Sequence, residues 1–361
     1  MNTPDLDESV CVSGPELFAR YAYPPNELGY CGPGEPVALL QAAAEGGEEA
    51  LLAHLARQFE GAGPYLELIA GCNAVADPLD RRIVEAYWIG NDLTRRVPPS
   101  ALASSLDERF SRRAGTRFPP LIAAAWNGGI AQHNFHVFAV YPWLGLLRAG
   151  RARVPLDVLD QCRIRWGRVV ALSGDLVTVT SRGLELVGSQ LCFRGERTEV
   201  VRRGVAGVGF VDHLAVGDMV ALHWDWVCER LTGRALRQLR AATIDNLRAV
   251  NTLETCPPAS AFERGQYLER SQAVTSKVSP TMKRSQEGDG LSLMTSHATQ
   301  DVVELSDGID DMGTLVEHHA FGALSHGGVS DLGARGSSRP CEPIEDFGGP
   351  HDGQVGGFRQ P

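Results

Sequence analysis

The chain has 361 residues, 34 Lys+Arg against 44 Asp+Glu, and a formal net charge of −10. Residues 1–250 hold 26 Arg, no Lys and 28 Asp+Glu, whereas residues 251–361 hold 8 Lys+Arg and 16 Asp+Glu. A nearly neutral body gives no electrostatic case for binding nucleic acid or an anionic membrane surface. The longest apolar run, residues 137–147, is also far shorter than the roughly 20 residues that a membrane-spanning helix needs.

The first residues of the chain are acidic and lack the apolar stretch of a secretory signal. Residues 1–12 are therefore expected to be a disordered N-terminus. The eight cysteines are scattered and none are spaced as CxxC, so we expect reduced thiols rather than a disulfide framework. The sequence predicts a cytoplasmic protein.

Residues 13–154 carry helical patterning. The segment Ser13-Gly14-Pro15 is typical of a helix start. Apolar residues recur at helical spacing over residues 47–59 and again over 79–96. This part of the chain is predicted to be a helical domain of unknown function.

After residue 154 the apolar period changes from about 3.6 residues to 2. Residues 173–175 (SGD) separate two apolar runs and predict a hairpin turn. Thr232 is suited to cap a closing helix over 233–249. Further strands are expected over residues 184–193, 197–205, 207–214 and 219–228. The fold class is therefore α+β: a helical N-terminal domain, then a small OB-like β-barrel with a C-terminal helix over 155–252.

Residues 253–361 differ in composition from the rest of the chain. They contain 15 Gly, no Trp and few clustered aliphatic residues, and they carry the acidic excess. Such a segment buries too little apolar surface to offset the entropy of ordering. We expect a disordered, acidic, Gly-rich tail.

Two segments of the predicted barrel carry recognisable patterns. Residues 162–175 begin with Cys162, continue through Gly167-x-Val169 and end in a Gly-Asp turn, and residues 216–223 (VGDMVALH) precede the predicted closing helix. These segments resemble the opening and the VGDYVLVH strand, likewise followed by a helix, of the HypC/HupF/HoxL family of [NiFe]-hydrogenase maturation chaperones. Two departures concern the first segment: Cys162 is internal, where the family has an N-terminal Cys with a free amine, and Trp166 replaces the family's Pro.

The resemblance implies an accessory protein rather than an enzyme. Such a protein acts as a chaperone or transient carrier of an iron unit with cyanide and CO ligands, Fe(CN)2CO. Its implied partners are a hydrogenase large-subunit precursor and a HypD-like maturation protein. Carried over to this sequence, Cys162 is the thiolate ligand and His223 the supporting ligand, a donor pair that suits iron in a strong ligand field.

Strand alternation gives His223 a position independent of the resemblance. Over residues 219–227 it predicts one face with Val220, Leu222, Trp224 and Trp226 and the other with Ala221, His223 and Asp225. The first face is expected to form the barrel core, so His223 points away from it. An ordinary surface histidine is the alternative for His223, and a small buried apolar residue is the alternative for Cys162.

The helical segment has its own candidate ligands. Cys31 lies in a tight turn at residues 30–34, and His133 and His136 are three residues apart, so on a helix they share a face and suit one metal ion. The alternative is that both imidazoles anchor polar contacts beside an aromatic core, because no third ligand is evident nearby. Two further functions stay open: a metal-dependent enzyme using Cys31, His133 and His136, or a structural adaptor whose barrel no longer handles iron.

Overall fold

The computed structural model describes residues 12–111, 118–150 and 154–252. Within them a helical part comes first, a mixed five-stranded sheet follows, and a long helix closes the fold, so the α+β class is confirmed. The helices before the sheet are Gly14–Glu27 (α1), Pro36–Ala44 (α2), Glu49–Ala56 (α3), Gly63–Cys72 (α4), Arg81–Trp88 (α5), Asp92–Arg95 (α6), Pro99–Phe110 (α7), Phe118–Trp126 (α8), His133–Phe135 (α9), Trp143–Arg148 (α10) and Val154–Cys162 (α11), with a π-helical turn at His136–Val140.

The closing helix, Gly233–Asn251 (α12), confirms the predicted cap, because the Thr232 side chain accepts a hydrogen bond from the Ala235 N–H. Likewise the Ser13 side chain accepts from the Glu16 N–H at the start of α1. None of the helices in the described residues is long and apolar enough to cross a membrane.

The strands are Arg165–Ser173 (β1), Leu176–Val187 (β2), Gln190–Arg202 (β3), Gly204–Val205 (β4), Val208–Gly209 (β5), Met219–His223 (β6) and Trp226–Arg230 (β7). Five of them form one sheet in the order β1-β2-β3-β7-β6, and β6 also pairs with β1. All the pairings are antiparallel except β3 with β7, which meet in parallel at one residue pair. β4 and β5 form a separate two-stranded sheet.

Several predicted strand boundaries are wrong. The hairpin at residues 173–175 is confirmed, but the strand expected over 184–193 turns at residues 188–189, where Gly188 has a φ of +63°. The strand expected over 219–228 turns at Trp224 and Asp225, and Trp224 has a φ of +54°. The segment 207–214 contributes only the two residues of β5.

The junction between the helical part and the sheet also differs from the prediction. Helix α11 runs to Cys162, so this residue ends a helix instead of opening a strand. The next residue, Arg163, is 1% exposed, and its guanidinium donates to Asp160 Oδ1 and to the Arg182 carbonyl in β2. These bonds fix the end of α11 against the sheet, because a buried guanidinium needs paired acceptors.

Residues of the sheet belong to two separate hydrophobic clusters. The smaller cluster lies on the sheet's own inner face and contains Val169, Val177, Val179, Val201, Leu214, Val220, Leu222 and Val227. The larger cluster joins the buried residues of the helices to Ala221, Trp226 and Cys228 of the sheet and to Trp224 in the β6–β7 turn. The helical part therefore covers one face of β6 and β7.

Trp224 and Trp226 were predicted to share a face with Val220 and Leu222, and this is wrong. Trp224 lies in the β6–β7 turn, where strand alternation no longer applies. Trp226 is the cross-strand partner of His223, and directly paired residues point to the same face of a sheet. His223 does lie opposite the inner face, as predicted.

Asn134 connects the helices to the first strand. Its Oδ1 accepts from the Ile164 N–H at 2.7 Å, and its Nδ2 donates to the Ile164 carbonyl at 3.0 Å and to Thr243 Oγ1 in α12 at 2.9 Å. The side chain is fully buried. One amide thus satisfies both backbone groups of Ile164 just before β1 begins.

The predicted disordered tail (253–361) and residues 1–11 of the predicted disordered N-terminus lie outside the described residues. The proposed division at residues 154/155 stays a prediction. Cys31, Cys72, Cys162 and Cys228 are free thiols as expected, whereas Cys192 is disulfide-bonded, so the expectation of reduced thiols is wrong at that position.

Candidate metal centre

Three buried side chains from three different elements meet between the helical part and the sheet. His133 opens α9, Cys162 ends α11 and His223 ends β6. Each offers one nitrogen or sulfur atom, and these three atoms lie within 4.8 Å of one another. The residues are 6%, 8% and 0% exposed. Imidazole and thiolate are the ligands that zinc, iron and copper ions accept in proteins.

His223 presents a free lone pair to this group. Its Nδ1 lies 2.6 Å from the Tyr21 carbonyl in α1, and a carbonyl only accepts, so Nδ1 carries the proton. Its Nε2 is buried and has no hydrogen-bond partner among the described residues. Burial, and then the neighbouring His133, lower the pKa of His223 well below its usual range. The ring is therefore neutral near pH 7 and in the protonation state that binds a metal.

His133 is held by a bond at each ring nitrogen. Its Nε2 donates to the Cys162 carbonyl at 2.9 Å, which leaves Nδ1 to accept from the Tyr87 hydroxyl at 3.2 Å. Burial lowers the pKa of His133 to about 4, although the Cys162 carbonyl acts in the opposite direction. The ring centroids of His133 and His223 are 5.0 Å apart. A metal ion bound at His133 must replace one of its two hydrogen bonds.

The Cys162 thiol is uncharged in this environment. Burial raises the pKa of Cys162, and the neighbouring Cys31 raises it further. A bound metal ion reverses this preference, because the ligand is the thiolate, and the thiol proton is released on binding. Metal binding at this centre is therefore expected to depend on pH.

Aromatic rings form the walls of the centre. The Trp88 ring lies 4.7 Å from the ring of His133 and 5.8 Å from that of His223. Tyr21 stacks on Trp88, with ring centroids 5.4 Å apart. These walls exclude water, and a low-polarity surrounding strengthens the interaction between a cation and a thiolate.

The predicted ligands do not all lie together. Cys162 and His223 come together, as the resemblance implied, and the surface alternative for His223 is wrong because the helical part covers it. His133 was predicted for a separate site with His136, but it lies with Cys162 and His223. His136 is outside this group: it is buried, its Nδ1 lies 3.3 Å from the Tyr65 hydroxyl, and its ring contacts Tyr141.

No spacing in the sequence signals the role of His133. It lies 29 residues before Cys162, and its approach depends on how the helices pack on β6. Cys31, another predicted ligand, is half-buried and also lies outside the group of three.

Residues 10–256 match the family DUF6390, which is described as a family of unknown function. The match covers well over half of the chain, so the chain belongs to this family. No curated protein and no solved structure matches the chain.

Proposed function

We propose that the chain is a cytoplasmic accessory protein of [NiFe]-hydrogenase maturation, of the HypC/HupF/HoxL kind. It carries the Fe(CN)2CO unit transiently and works with a large-subunit precursor and a HypD-like partner. The observation that carries the proposal is the unpartnered His223 Nε2 beside the Cys162 thiol. The resemblance named these two residues for this chemistry, and the fold brings them together.

We also infer that the sheet is a small OB-like barrel. Each of the five strands β1, β2, β3, β7 and β6 pairs with two neighbours, so the sheet closes where β6 pairs with β1. Its inner face is the small apolar cluster around Val179 and Val220. A five-stranded closed sheet with a helical appendage supports the resemblance at the level of the fold.

His133 answers the difficulty raised by the internal position of Cys162. The family's cysteine is N-terminal, whereas this chain has no free amine beside Cys162. A third donor is supplied instead by an imidazole from the helical part. One thiolate and two imidazoles occupy three positions of a six-coordinate iron whose other three ligands are the diatomics, so the numbers of ligands are consistent.

The separation of the ligand atoms suits a site that closes on its cargo. For metal–nitrogen and metal–sulfur bonds of about 2.0 and 2.3 Å, neighbouring ligand atoms lie roughly 3–4 Å apart. The three atoms here lie within 4.8 Å. A small inward movement of the side chains is therefore enough to bind iron.

Infrared spectroscopy tests the proposal. We expect the full chain, co-expressed anaerobically with the hydrogenase accessory proteins, to show absorption in the cyanide and carbonyl stretching region. The bands should disappear in Cys162→Ala and weaken in His223→Ala and His133→Ala. His136→Ala is the matched control, since this buried imidazole lies outside the group. Wild-type protein without such bands, prepared beside a positive HypC control, contradicts the proposal.

A metal-dependent enzyme is the second candidate. The observation in its favour is that three protein ligands leave a metal position open, as in catalytic zinc sites. The version based on Cys31, His133 and His136 is not supported by the geometry, because His136 lies apart from the other ligands. A structural adaptor becomes the better explanation if no metal binds.

A further inference from the structure

We propose that Cys31 is a fourth, exchangeable ligand of this centre, which lets it hold a bare divalent transition-metal ion through two thiolates and two imidazoles. This inference rests on the proposed metal site, not on the iron unit. A six-coordinate iron with three diatomic ligands needs only His133, Cys162 and His223, so Cys31 is displaced when that unit binds. A bare ion that prefers four ligands leaves the position to Cys31.

Contacts of the neighbouring residues place Cys31 beside the centre. The ring of Tyr30 stacks on Trp224, with centroids 4.4 Å apart and planes 13° apart. Trp224 directly follows His223, and its N–H donates to the Gln161 carbonyl at 2.8 Å, next to Cys162. The stacked pair therefore joins the turn that carries Cys31 to the chain positions next to two of the ligands.

The turn at residues 30–34 is held in one conformation. The buried Asn26 side chain donates to the Cys31 carbonyl at 2.8 Å and to the Pro33 carbonyl at 2.6 Å. Gly32 has a φ of +85°, and a Cβ there would collide with the Phe59 ring. A fixed backbone leaves rotation of the Cys31 side chain as the movement that would bring its thiol to a bound ion.

Electrostatic proximity agrees with this placement. The Cys31 thiol raises the pKa of Cys162 and also that of Tyr87, whose hydroxyl bonds to His133. Cys31 is half-buried, whereas the other three candidates are buried.

The binding step balances without any redox partner. A divalent ion replaces the protons of two thiols, forms two metal–thiolate and two metal–imidazole bonds, and two protons pass to the buffer. Two sulfur and two nitrogen ligands are a common tetrahedral set for zinc and for its spectroscopic substitute cobalt(II).

Cobalt(II) titration of the reduced full chain tests the proposal. We expect one ion per chain, the visible absorption of tetrahedral cobalt, and a near-ultraviolet thiolate band of two-sulfur intensity. In Cys31→Ala and Cys31→Ser the band per cobalt should fall by about half and the affinity by about tenfold or more. Cys72→Ala, which removes an exposed thiol, is the matched control and should equal the wild type.

Alkylation of the wild-type chain tests, without any variant, whether Cys31 binds the cobalt ion. Burial raises the pKa of Cys31 to about 12, so iodoacetamide should modify it slowly in the metal-free protein. The rate at Cys31 should fall further once one cobalt is bound, while Cys72 reacts at the same rate in both. Unchanged thiolate intensity in the Cys31 variants, or equal alkylation with and without cobalt, overturns the role of Cys31. A wild type that binds no cobalt overturns the metal centre itself. Two-thiolate cobalt binding without infrared bands in the iron experiment overturns only the iron cargo.

Discussion

His133, His136 and His223 are buried imidazoles. Burial is the largest cause of the lowered pKa of each, and the value for His133 is about 4. In the unfolded chain the same rings titrate near 6.5. Below that pH the unfolded chain binds protons that the folded chain excludes, so the difference in proton uptake favours unfolding.

The free energy of unfolding should therefore fall as the pH is lowered from 6.5 towards 4. Each imidazole contributes up to about 1.4 kcal/mol per pH unit in this window, and the contribution is fully restored above it. Urea unfolding of metal-free protein at pH 7.5 and pH 5 measures the effect. His133→Gln should lower the difference between the two pH values, because one of the three titrating groups is gone.

The exposed His54 provides the control for this measurement. His54→Gln should retain the whole pH dependence of the wild type. Equal stability of the wild type at the two pH values would show that the imidazoles remain accessible to protons in the folded chain.

The candidate site was predictable only in part from its individual residues. Cys162 and His223 were found from two short segments, and alternation placed His223 opposite the inner face of the sheet. Its burial was not predictable, because strand period says nothing about what covers the second face. His133 was recognised as a potential ligand but assigned the wrong partners, since local spacing favoured His136.

Helix α1 links the start of the fold to the centre. Its Tyr21 carbonyl holds His223, and its N-terminus packs against the turn before α5. A Cβ on Gly14, the first residue of α1, would collide with the Leu79 carbonyl and lie 2.9 Å from the Arg81 nitrogen. Both obstacles are backbone atoms, which do not rotate out of the way.

Gly14→Ala should therefore lower the free energy of unfolding by about 1–3 kcal/mol, as forced overpacking does. It should also weaken cobalt binding, because any shift of α1 moves the Tyr21 carbonyl. Chemical denaturation and the cobalt titration measure the two effects.

Gly63 is the matched control, since it is likewise the first residue of a helix, α4, but a Cβ there meets nothing within 4 Å. Gly63→Ala should be neutral or stabilise the chain by up to about 1 kcal/mol. Equal effects at Gly14 and Gly63 would mean that the start of α1 yields easily.

Elements with local chemical signals were predicted well. Ser13 and Thr232 are caps whose hydrogen bonds form as expected, and the turn at 173–175 uses Gly174 with a φ of +56°. The turn at Trp224 was missed because no glycine marks it. Its positive φ is maintained instead by contacts at long range, with Tyr30 and with the Gln161 carbonyl.

The helical part and the sheet depend on each other across the whole molecule. One hydrophobic cluster contains residues of both, and buried polar bonds join residues before 153 to residues after it, from Tyr21 to His223, from Asn134 to Ile164 and from His133 to Cys162. A cut between residues 153 and 154 leaves these groups without partners on both sides, which is costly for buried polar atoms.

Fragments 1–153 and 154–256 are therefore expected to lack cooperative thermal unfolding when each is expressed alone. Co-expression should recover a complex that binds cobalt, since the ligands come from both fragments. Circular dichroism melts and the cobalt spectrum distinguish the cases. Independent folding of the second fragment would instead support a self-sufficient barrel.

The Asn134 side chain bonds to the N–H and the carbonyl of Ile164, as the backbone of a neighbouring β-strand would. Because side chains alternate along a strand, this pairing depends on the register of β1. A slip of β1 by one residue would offer Asn134 the backbone of Arg165 and turn Ile164 out of the interior. It would also draw Cys162 away from the two imidazoles. An insertion between Cys162 and Ile164 in this chain would therefore disturb the sheet and the candidate metal centre together, because the spacing of these two residues links the register of β1 to the position of a ligand.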